Sequence, residues 1–400
     1  MVKALLTENI HPVAVENLQR HGYDVELLAG SLSQAELIER LPGVTLLGIR
    51  SNTNVTAEAL DAATDLAAVG CFCIGTNQVD LAAATERGIG VFNAPFSNTR
   101  SVVELVIGEI IALARRLPEK TQRMHAGVWD KSAQGSHEVR ARTLGIVGYG
   151  NIGTQLSTLA EMLGMRVIYY DTADRLSHGN AQPMASLNDL LAEADVVSLH
   201  VDGRAGNAGL FGEAQFSRMK PRSLFINASR GMVVDDHALR RHIESGHIAG
   251  AAIDVFPSEP KAQGDRFESV LQGLDNVILT PHVGGSTQEA QQEIGHFVSR
   301  KLATFHREGS TELSVNLPQV QPPPLRSGSR VGVLHRNVPG VVAELNLSLA
   351  KQGDNVSAQY LSTSGDLGYV VTDAADPLAA ESLQRLADSE HTLWVRTYDA

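Results

Sequence analysis

Short apolar runs separated by stretches of helical periodicity set the rhythm of the first hundred residues. Residues 2–7, 25–28, 45–50, 66–71 and 90–93 read as strands, with helical stretches such as 57–63 and 81–88 between them. Strands alternating with helices predict an α/β unit built on a parallel sheet. A longer helix follows over 100–117, with Val103, Val106, Ile107, Ile110, Ile111 and Ala114 as its apolar positions, and Pro118 is expected to stop it. A second α/β unit begins near Arg142, with strands at 143–147, 167–171, 196–199, 224–228, 251–255 and 277–279. Six parallel strands with intervening helices make a full dinucleotide-binding domain.

A helical segment then runs from 287 to about 308. Pro318, Pro322, Pro323 and Pro324, followed by Ser327-Gly328-Ser329, read as a linker. Beyond it the order is strand 330–335, helix 339–351, strands 356–363 and 368–372, helix 378–387 and strand 392–397. That βαββαβ order predicts a ferredoxin-like domain. The expected architecture is therefore α/β: two doubly wound parallel-sheet domains and a small C-terminal one. The expected boundaries are 1–98 with 287–317 for the first domain, 99–286 for the second, 318–329 for the linker and 330–400 for the third.

Composition narrows the function. A chain of 400 residues, 43% hydrophobic, has enough apolar content for two or three cored domains. Its formal charge of −12 argues against a general nucleic-acid binder. Cys71 and Cys73 are the only cysteines; they are expected on opposite sheet faces or in buried positions, without a disulfide and without zinc. No apolar run approaches the ~20 residues of a membrane span, and no signal peptide is evident. The expectation is a reduced cytoplasmic enzyme without a metal.

The chemistry begins at Gly148-Tyr149-Gly150-Asn151-Ile152-Gly153, a G-x-G-x-x-G run between a predicted strand and a predicted helix over 152–163. In that context Gly148 permits the tight turn, Gly150 the approach of a pyrophosphate and Gly153 close helix–strand packing, while the helix N-terminus offers N–H donors. Asp171 ends the next strand, where a carboxylate hydrogen-bonds a ribose 2′-hydroxyl and repels a 2′-phosphate. Thr172-Ala173 offer no arginine, so NAD is expected rather than NADP.

Three polar residues end later strands on the same predicted edge. His282 follows 276–280, Arg230 follows 224–228 and Glu259 follows 251–256. In open α/β sheets ligands bind beyond the carboxyl ends of the strands. A histidine suits transfer of a hydroxyl proton, a carboxylate on its other nitrogen fixes the tautomer, and a guanidinium holds a carboxylate with two parallel hydrogen bonds. Asp254 lies on the same edge, placed to meet a nicotinamide ring or to pair with backbone.

The segments Asn227-Ala228-Ser229-Arg230-Gly231, Asp254-Val255-Phe256-Pro257-Ser258-Glu259-Pro260 and Pro281-His282-Val283-Gly284-Gly285-Ser286-Thr287 resemble the three signatures of the D-2-hydroxyacid dehydrogenases. The resemblance covers essentially the whole chain and implies an Arg230, Glu259, His282 triad. Expected cofactor contacts are Gly148, Gly150, Asn151, Ile152, Gly153, Asp171, Ala228, Ser229, Arg230, Asp254, His282, Gly284 and Gly285. It is closest to bacterial members with one C-terminal ACT domain, which oxidise 3-phospho-D-glycerate to 3-phosphohydroxypyruvate at the entry to L-serine biosynthesis. The resemblance further implies a homotetramer inhibited by serine. Arg50, Ser51 and Asn52 follow a strand of the first domain and are expected to face a cleft and the substrate phosphate. Gly75, Asn98, Arg230 and Lys131 (from a neighbouring subunit) complete the expected substrate set.

Two departures stand out: related bacterial chains often carry a second basic residue at Asn52, and proline usually follows His-Val where this chain has Asp202. Asn52 leaves room for another hydroxyacid dehydrogenase, such as a 2-oxoglutarate reductase. A non-catalytic NAD sensor is the rival from a different class, and the intact triad argues against it. In the C-terminal domain His335, Asn337 and Asn355 resemble the serine-holding residues of ACT domains. Asn side chains both donate to a carboxylate and accept from an ammonium.

Overall fold

The structure, a computed structural model, describes residues 2–260 and 264–399. The chain divides into two compact units, 1–97 with 291–400 and 98–290.

In the first unit β1 (Val2–Leu6), β2 (Tyr23–Leu27), β3 (Val44–Ile49), β4 (Ala68–Cys71) and β5 (Gly90–Phe92) form a parallel sheet in the order β2-β1-β3-β4-β5. Alternate residues of each strand enter opposite cores, as the two-residue period of a strand requires. Ala4, Leu6, Leu46 and Ala68 pack on one face, and Leu5, Leu47, Val69 and Val91 on the other. Cys71 and Cys73 are both free and both pack on the second of these cores, so the opposite-face option does not hold. Residues two apart in an extended chain share a face.

In the second unit β6 (Thr143–Val147), β7 (Arg166–Tyr170), β8 (Gln182–Pro183), β9 (Val196–Leu199), β10 (Ser223–Asn227), β11 (Ile248–Ile253) and β12 (Val277–Leu279) form a parallel sheet in the order β12-β11-β10-β9-β6-β7-β8. This is the doubly wound order with its reversal between β6 and β9. The two-residue β8 has too short a pattern to read from sequence. The long helix is Thr99–Ala114, and Pro118 does not stop it. Arg116, at φ 55°, turns the chain, and Pro118 lies in the first turn of a further helix, Leu117–His125. Proline is tolerated there because the N–H it lacks has no intrahelical partner.

The last strands, β13 (Ser329–Arg336), β14 (Val356–Ser364), β15 (Leu367–Ala374) and β16 (Thr392–Asp399), form an antiparallel sheet in the order β14-β15-β13-β16, with helices Val341–Ala350 and Ala380–Ala387. This is the expected βαββαβ arrangement. One face packs Val331, Val333 and Val370 against Leu345, Leu349 and Leu386. The other sends Leu334, Tyr369 and Val371 into the same core as Phe305 and Leu302. The Pro-rich run before β13 is anchored: Val320 is buried and exchanges hydrogen bonds with Thr311, and Arg330 donates to the Pro323 carbonyl at 2.8 Å.

Candidate active site

The Gly-rich turn joins β6 to the helix Asn151–Met162. Gly148 sits at φ 93°, and a Cβ there would strike the His200 carbonyl at 2.6 Å. A Cβ at Gly153 would lie 2.4 Å from the Gly148 carbonyl oxygen, so the helix presses onto its own turn. Gly150 instead faces open space, with nothing within 4 Å of the position a Cβ would take. The amides of Asn151, Ile152 and Gly153 precede the first intrahelical bond, Thr154 N–H to Gly150 O. Open space beside unspent N–H donors fits a pyrophosphate.

Asp171 is tied into this cradle: Oδ2 accepts from Tyr149 N–H and Oδ1 from Ala173 N–H, each at 2.8 Å. Two arginines that its immediate neighbours gave no sign of lie close. Arg175 Nε is 3.5 Å from Asp171 Oδ2, and the charge of Arg204 couples to Asp171. Arg175 belongs to a fixed loop, because Tyr169 OH donates to its carbonyl at 2.9 Å. Arg204 belongs to the loop after β9, where Asp202 accepts two bonds from the Arg204 guanidinium and another from Asn207. The two positions lie four residues beyond Asp171 and on the loop after β9, where a search next to the strand end does not reach.

His282, Glu259 and Arg230 all follow the C-terminal ends of strands, β12, β11 and β10 respectively. His282 Nδ1 lies 2.9 Å from Glu259 Oε2, which leaves Nε2 for a substrate. Glu259 Oε1 accepts from Phe256 N–H at 3.1 Å, which fixes the carboxylate. The Glu259 hydrogen bond raises the His282 pKa above the ordinary imidazole value; burial works against this, and the charges of Glu259 and Asp254 reinforce it. Burial of Glu259 acts to raise its own pKa, but its bond to His282 and the charges around it prevail, and the net shift is downward. Both shifts favour the imidazolium–carboxylate form of the pair, so a proton taken up at His282 is held there. The loops meet because residue 231 is glycine: a Cβ there would sit 1.9 Å from the Phe256 carbonyl carbon. Arg230 is half-buried and donates from Nη1 to the Ser229 carbonyl at 2.7 Å.

Asp254 pairs with backbone, accepting from Val283 and Gly284 N–H groups at 2.8 Å each and from Thr280 Oγ1 at 2.6 Å. It thereby shapes the turn that presents His282, which adopts φ 55°. Ala228 and Ser229 belong to the β10 end, where Ser229 Oγ donates to Asn227 at 2.8 Å. Asn98 abuts Gly285, since a Cβ on that glycine would lie 2.7 Å from Asn98 Nδ2. Lys131 is exposed on the segment after Trp129.

In the first unit, Arg50, Ser51 and Asn52 follow β3. A residue that the sequence pattern did not single out organises them: buried Glu8 accepts from the N–H groups of Arg50, Asn52 and Thr53 at 2.9–3.0 Å. Gln78 Nε2 then bridges the carbonyls of Arg50 (2.6 Å) and Gly75 (3.3 Å). The signal for Glu8 was its place just past β1, another carboxyl-end position of the same sheet.

The C-terminal residues are not brought together within one chain. His335 is buried at the end of β13, its Nδ1 2.8 Å from the Arg336 carbonyl oxygen, and Asn337 Nδ2 donates to the Gly365 carbonyl at 3.1 Å. Asn355 precedes β14, whose first residue pairs with Ala374, as does Ser329 at the start of β13. Asn337 N–H donates to the Asp366 carbonyl before β15 and Ala375 N–H to the Asn355 carbonyl after it, so the eight residues of β15 lie between the two asparagines, about 30 Å.

Among the described residues no helix is long and apolar enough to cross a membrane, and no group of His, Cys, Asp or Glu suits a metal. The family profile of the D-isomer specific 2-hydroxyacid dehydrogenase NAD-binding domain matches residues 107–284. The chain is 51% identical to the D-3-phosphoglycerate dehydrogenase of Escherichia coli (strain K12) over 398 residues, 99% of this chain and 97% of that one. It is 48% identical over 396 residues to the enzyme of the same name from Haemophilus influenzae, again 99% and 97%. A solved D-lactate dehydrogenase from Aquifex aeolicus, complexed with NAD and lactic acid, superposes with a TM-score of 0.66 at 26% identity, over 76% of this chain and 95% of that one. With likeness along nearly its whole length and a cradle that fits a dinucleotide, the chain belongs to the D-isomer specific 2-hydroxyacid dehydrogenases, NAD-dependent oxidoreductases.

Proposed function

We propose that this dehydrogenase oxidises 3-phospho-D-glycerate to 3-phosphohydroxypyruvate, and that L-serine lowers its turnover through the C-terminal domain. The observation that carries the reading is the His282–Glu259 pair beside Arg230, in a chain whose full-length relatives bear the D-3-phosphoglycerate dehydrogenase name. Arg230 binds the α-carboxylate and so orients the carbinol carbon. His282 Nε2 takes the hydroxyl proton, and Glu259 holds the ring and stabilises the imidazolium. When bound, NAD⁺ supplies the hydride acceptor. Arg50, whose loop Glu8 fixes from behind, serves the substrate phosphate, with Ser51, Asn52, Gly75 and Asn98 completing the contacts. Lys131 reaches that group from a neighbouring subunit of a homotetramer.

The deciding experiment compares kcat/KM for 3-phosphohydroxypyruvate and 2-oxoglutarate with NADH. Uncharged Asn52 beside Arg50 keeps the second acid in play. The proposal requires the phosphorylated substrate to win by at least about tenfold, since charge-assisted bonds to a phosphate are worth more than ~1.4 kcal/mol. The reverse order would reassign the enzyme.

A further inference from the structure

The amino-terminal edge of the second sheet carries an unusual coincidence. Arg116 follows the helix Thr99–Ala114 in the left-handed region, φ 55°, the position after a helix where glycine is the usual residue. Arg222 sits at φ 69° in the turn Lys220-Pro221-Arg222-Ser223, which the Ser223 N–H closes onto the Lys220 carbonyl at 3.1 Å. With proline second and a positive φ third, this is a type II turn, and its third position also ordinarily takes glycine. Both strained positions hold arginine, and both arginines line one small cavity together with His137, Arg142 and Asn276. Backbone strain at bulky residues persists where the surroundings use it.

The side chains converge. A Cβ built on Gly135 would lie 2.8 Å from Arg116 Nη1 and 3.4 Å from Arg222 Nη2. The local acids do not balance the cations. Glu119 pairs with Arg116 and shares Arg123 with Asp130, and Asp195 pairs with Lys220 at 2.6 Å and only loosely with Arg142 at 3.9 Å. Arg222 has no ion-pair partner among the described residues. Burial and the charges of Arg142 and Arg222, against that of Asp195, push the His137 pKa down, which disfavours the charged ring. Asn276 is 4% exposed, spends Nδ2 on the Ala249 carbonyl at 2.9 Å, and keeps Oδ1 buried without a partner.

From this geometry we propose a phosphate-type anion site at Arg116, Arg222, Arg142 and Asn276, on the sheet edge opposite the candidate active site. Arg142, Asp195, Arg222 and Asn276 each come just before a strand, whereas Arg230, Glu259 and His282 come after one. A cavity of about 20 Å³ seats one oxygen, leaving the rest of the anion at its mouth among the guanidiniums. A monoprotonated phosphate group answers both needs: anionic oxygens for the arginines and one hydroxyl to donate to Asn276 Oδ1. Sulfate lacks that proton.

The test uses the full-length protein in chloride, titrated with inorganic phosphate or sulfate at matched ionic strength, followed by calorimetric binding and thermal unfolding. Arg222→Gly and Arg116→Gly remove a guanidinium while placing the residue each turn prefers, so both variants are expected to fold. Wild type should bind phosphate more tightly than sulfate, and each variant should weaken phosphate binding at least tenfold. Phosphate held at the catalytic site is indifferent to these variants and gives a residual signal common to all three proteins. Glycerol 2-phosphate separates the sources: tighter binding than inorganic phosphate assigns the site to a phosphoester, weaker binding to the free anion. Equal phosphate binding by wild type and both glycine variants overturns the proposal, and so does sulfate binding as tightly as phosphate.

Discussion

At the scale of single residues, the pairing of His282 with Glu259 makes two predictions with opposite signatures. His282→Ala should lower kcat by roughly 10² to 10⁴-fold, the usual worth of a positioned proton donor or acceptor, while NADH still binds by fluorescence titration. Glu259→Gln should cost less and should change the pH profile. Keto-acid reduction needs the imidazolium, so its rate falls as pH rises through the His282 pKa. That pKa is raised chiefly by the Glu259 bond, so removing the carboxylate moves the alkaline limb toward acid. A limb that stays in place would make Glu259 a structural loop acid. Asp171 offers a third prediction. With Arg175 and Arg204 already beside it, Asp171→Asn removes the local negative charge that repels a 2′-phosphate, yet keeps an acceptor for Tyr149 N–H. The ratio of kcat/KM for NAD over NADP should fall by at least about tenfold, one charge interaction of ~1.4 kcal/mol. The strand-end placement of His282, Glu259, Arg230 and Asp171 was legible because each closes an apolar run. Glu8 carries the same strand-end signal, just past β1, whereas the parts of Gln78, Arg175 and Arg204 depend on which loops lie side by side and are not legible.

At the scale of one element, the helix Thr99–Ala114 carries a feature that periodicity conceals. Glu109 lies on its buried stripe, 4% exposed, and neither carboxyl oxygen has a hydrogen-bond partner. Burial, helped by the charge of Asp254, pushes its pKa up to about 8. In the unfolded chain a glutamate titrates near ~4.3. Between those values the native state binds more protons than the unfolded one, so the contribution of Glu109 is fully present below pH ~4.3, declines as pH rises and is gone above about 8. Glu109→Gln cannot ionise. Its stability advantage over wild type in urea unfolding should therefore grow from about pH 5 to about pH 8, reaching on the order of a few kcal/mol. A difference that is flat with pH would mean that Glu109 is ionised in the native state. The end of the same helix shows where sequence reading fails for a physical reason. A proline is a visible stop signal, but the turn is made two residues earlier by Arg116 in a conformation that nothing in an arginine side chain announces.

At the scale of the molecule, the C-terminal domain is part of the first unit's core, and that decides how a serine response has to be tested. Arg330, fully buried, binds Asp373 through two hydrogen bonds of 2.5 and 2.9 Å and donates to the Glu308 and Pro323 carbonyls. Tyr369 OH donates to the Gly309 carbonyl at 3.0 Å, and Trp394 stacks near Phe305. The Pro-rich run that looked like a free linker is thus pinned at both ends, so cutting near Ser327 would expose an apolar core and confuse lost regulation with lost folding. Removing one partner of a buried ion pair costs about 3–5 kcal/mol, so Asp373→Ala should lower the unfolding midpoint well before it changes catalysis. Point variants of the asparagines give the cleaner test. Asn337 and Asn355 lie about 30 Å apart in one chain, beyond opposite ends of β15, so if both hold serine they do so from two chains. Asn337→Ala and Asn355→Ala should each raise the serine concentration for half-inhibition while leaving the uninhibited rate near wild type. Co-expressing the two variants should then restore part of the sensitivity. In a mixed pair one of the two sites at the shared interface carries both substitutions and the other carries neither, so half of its sites are intact. Serine titration of the purified mixed oligomer reads this directly. A response no better than that of either parent would mean that the two residues do not share a site, and that the C-terminal domain serves packing and assembly alone.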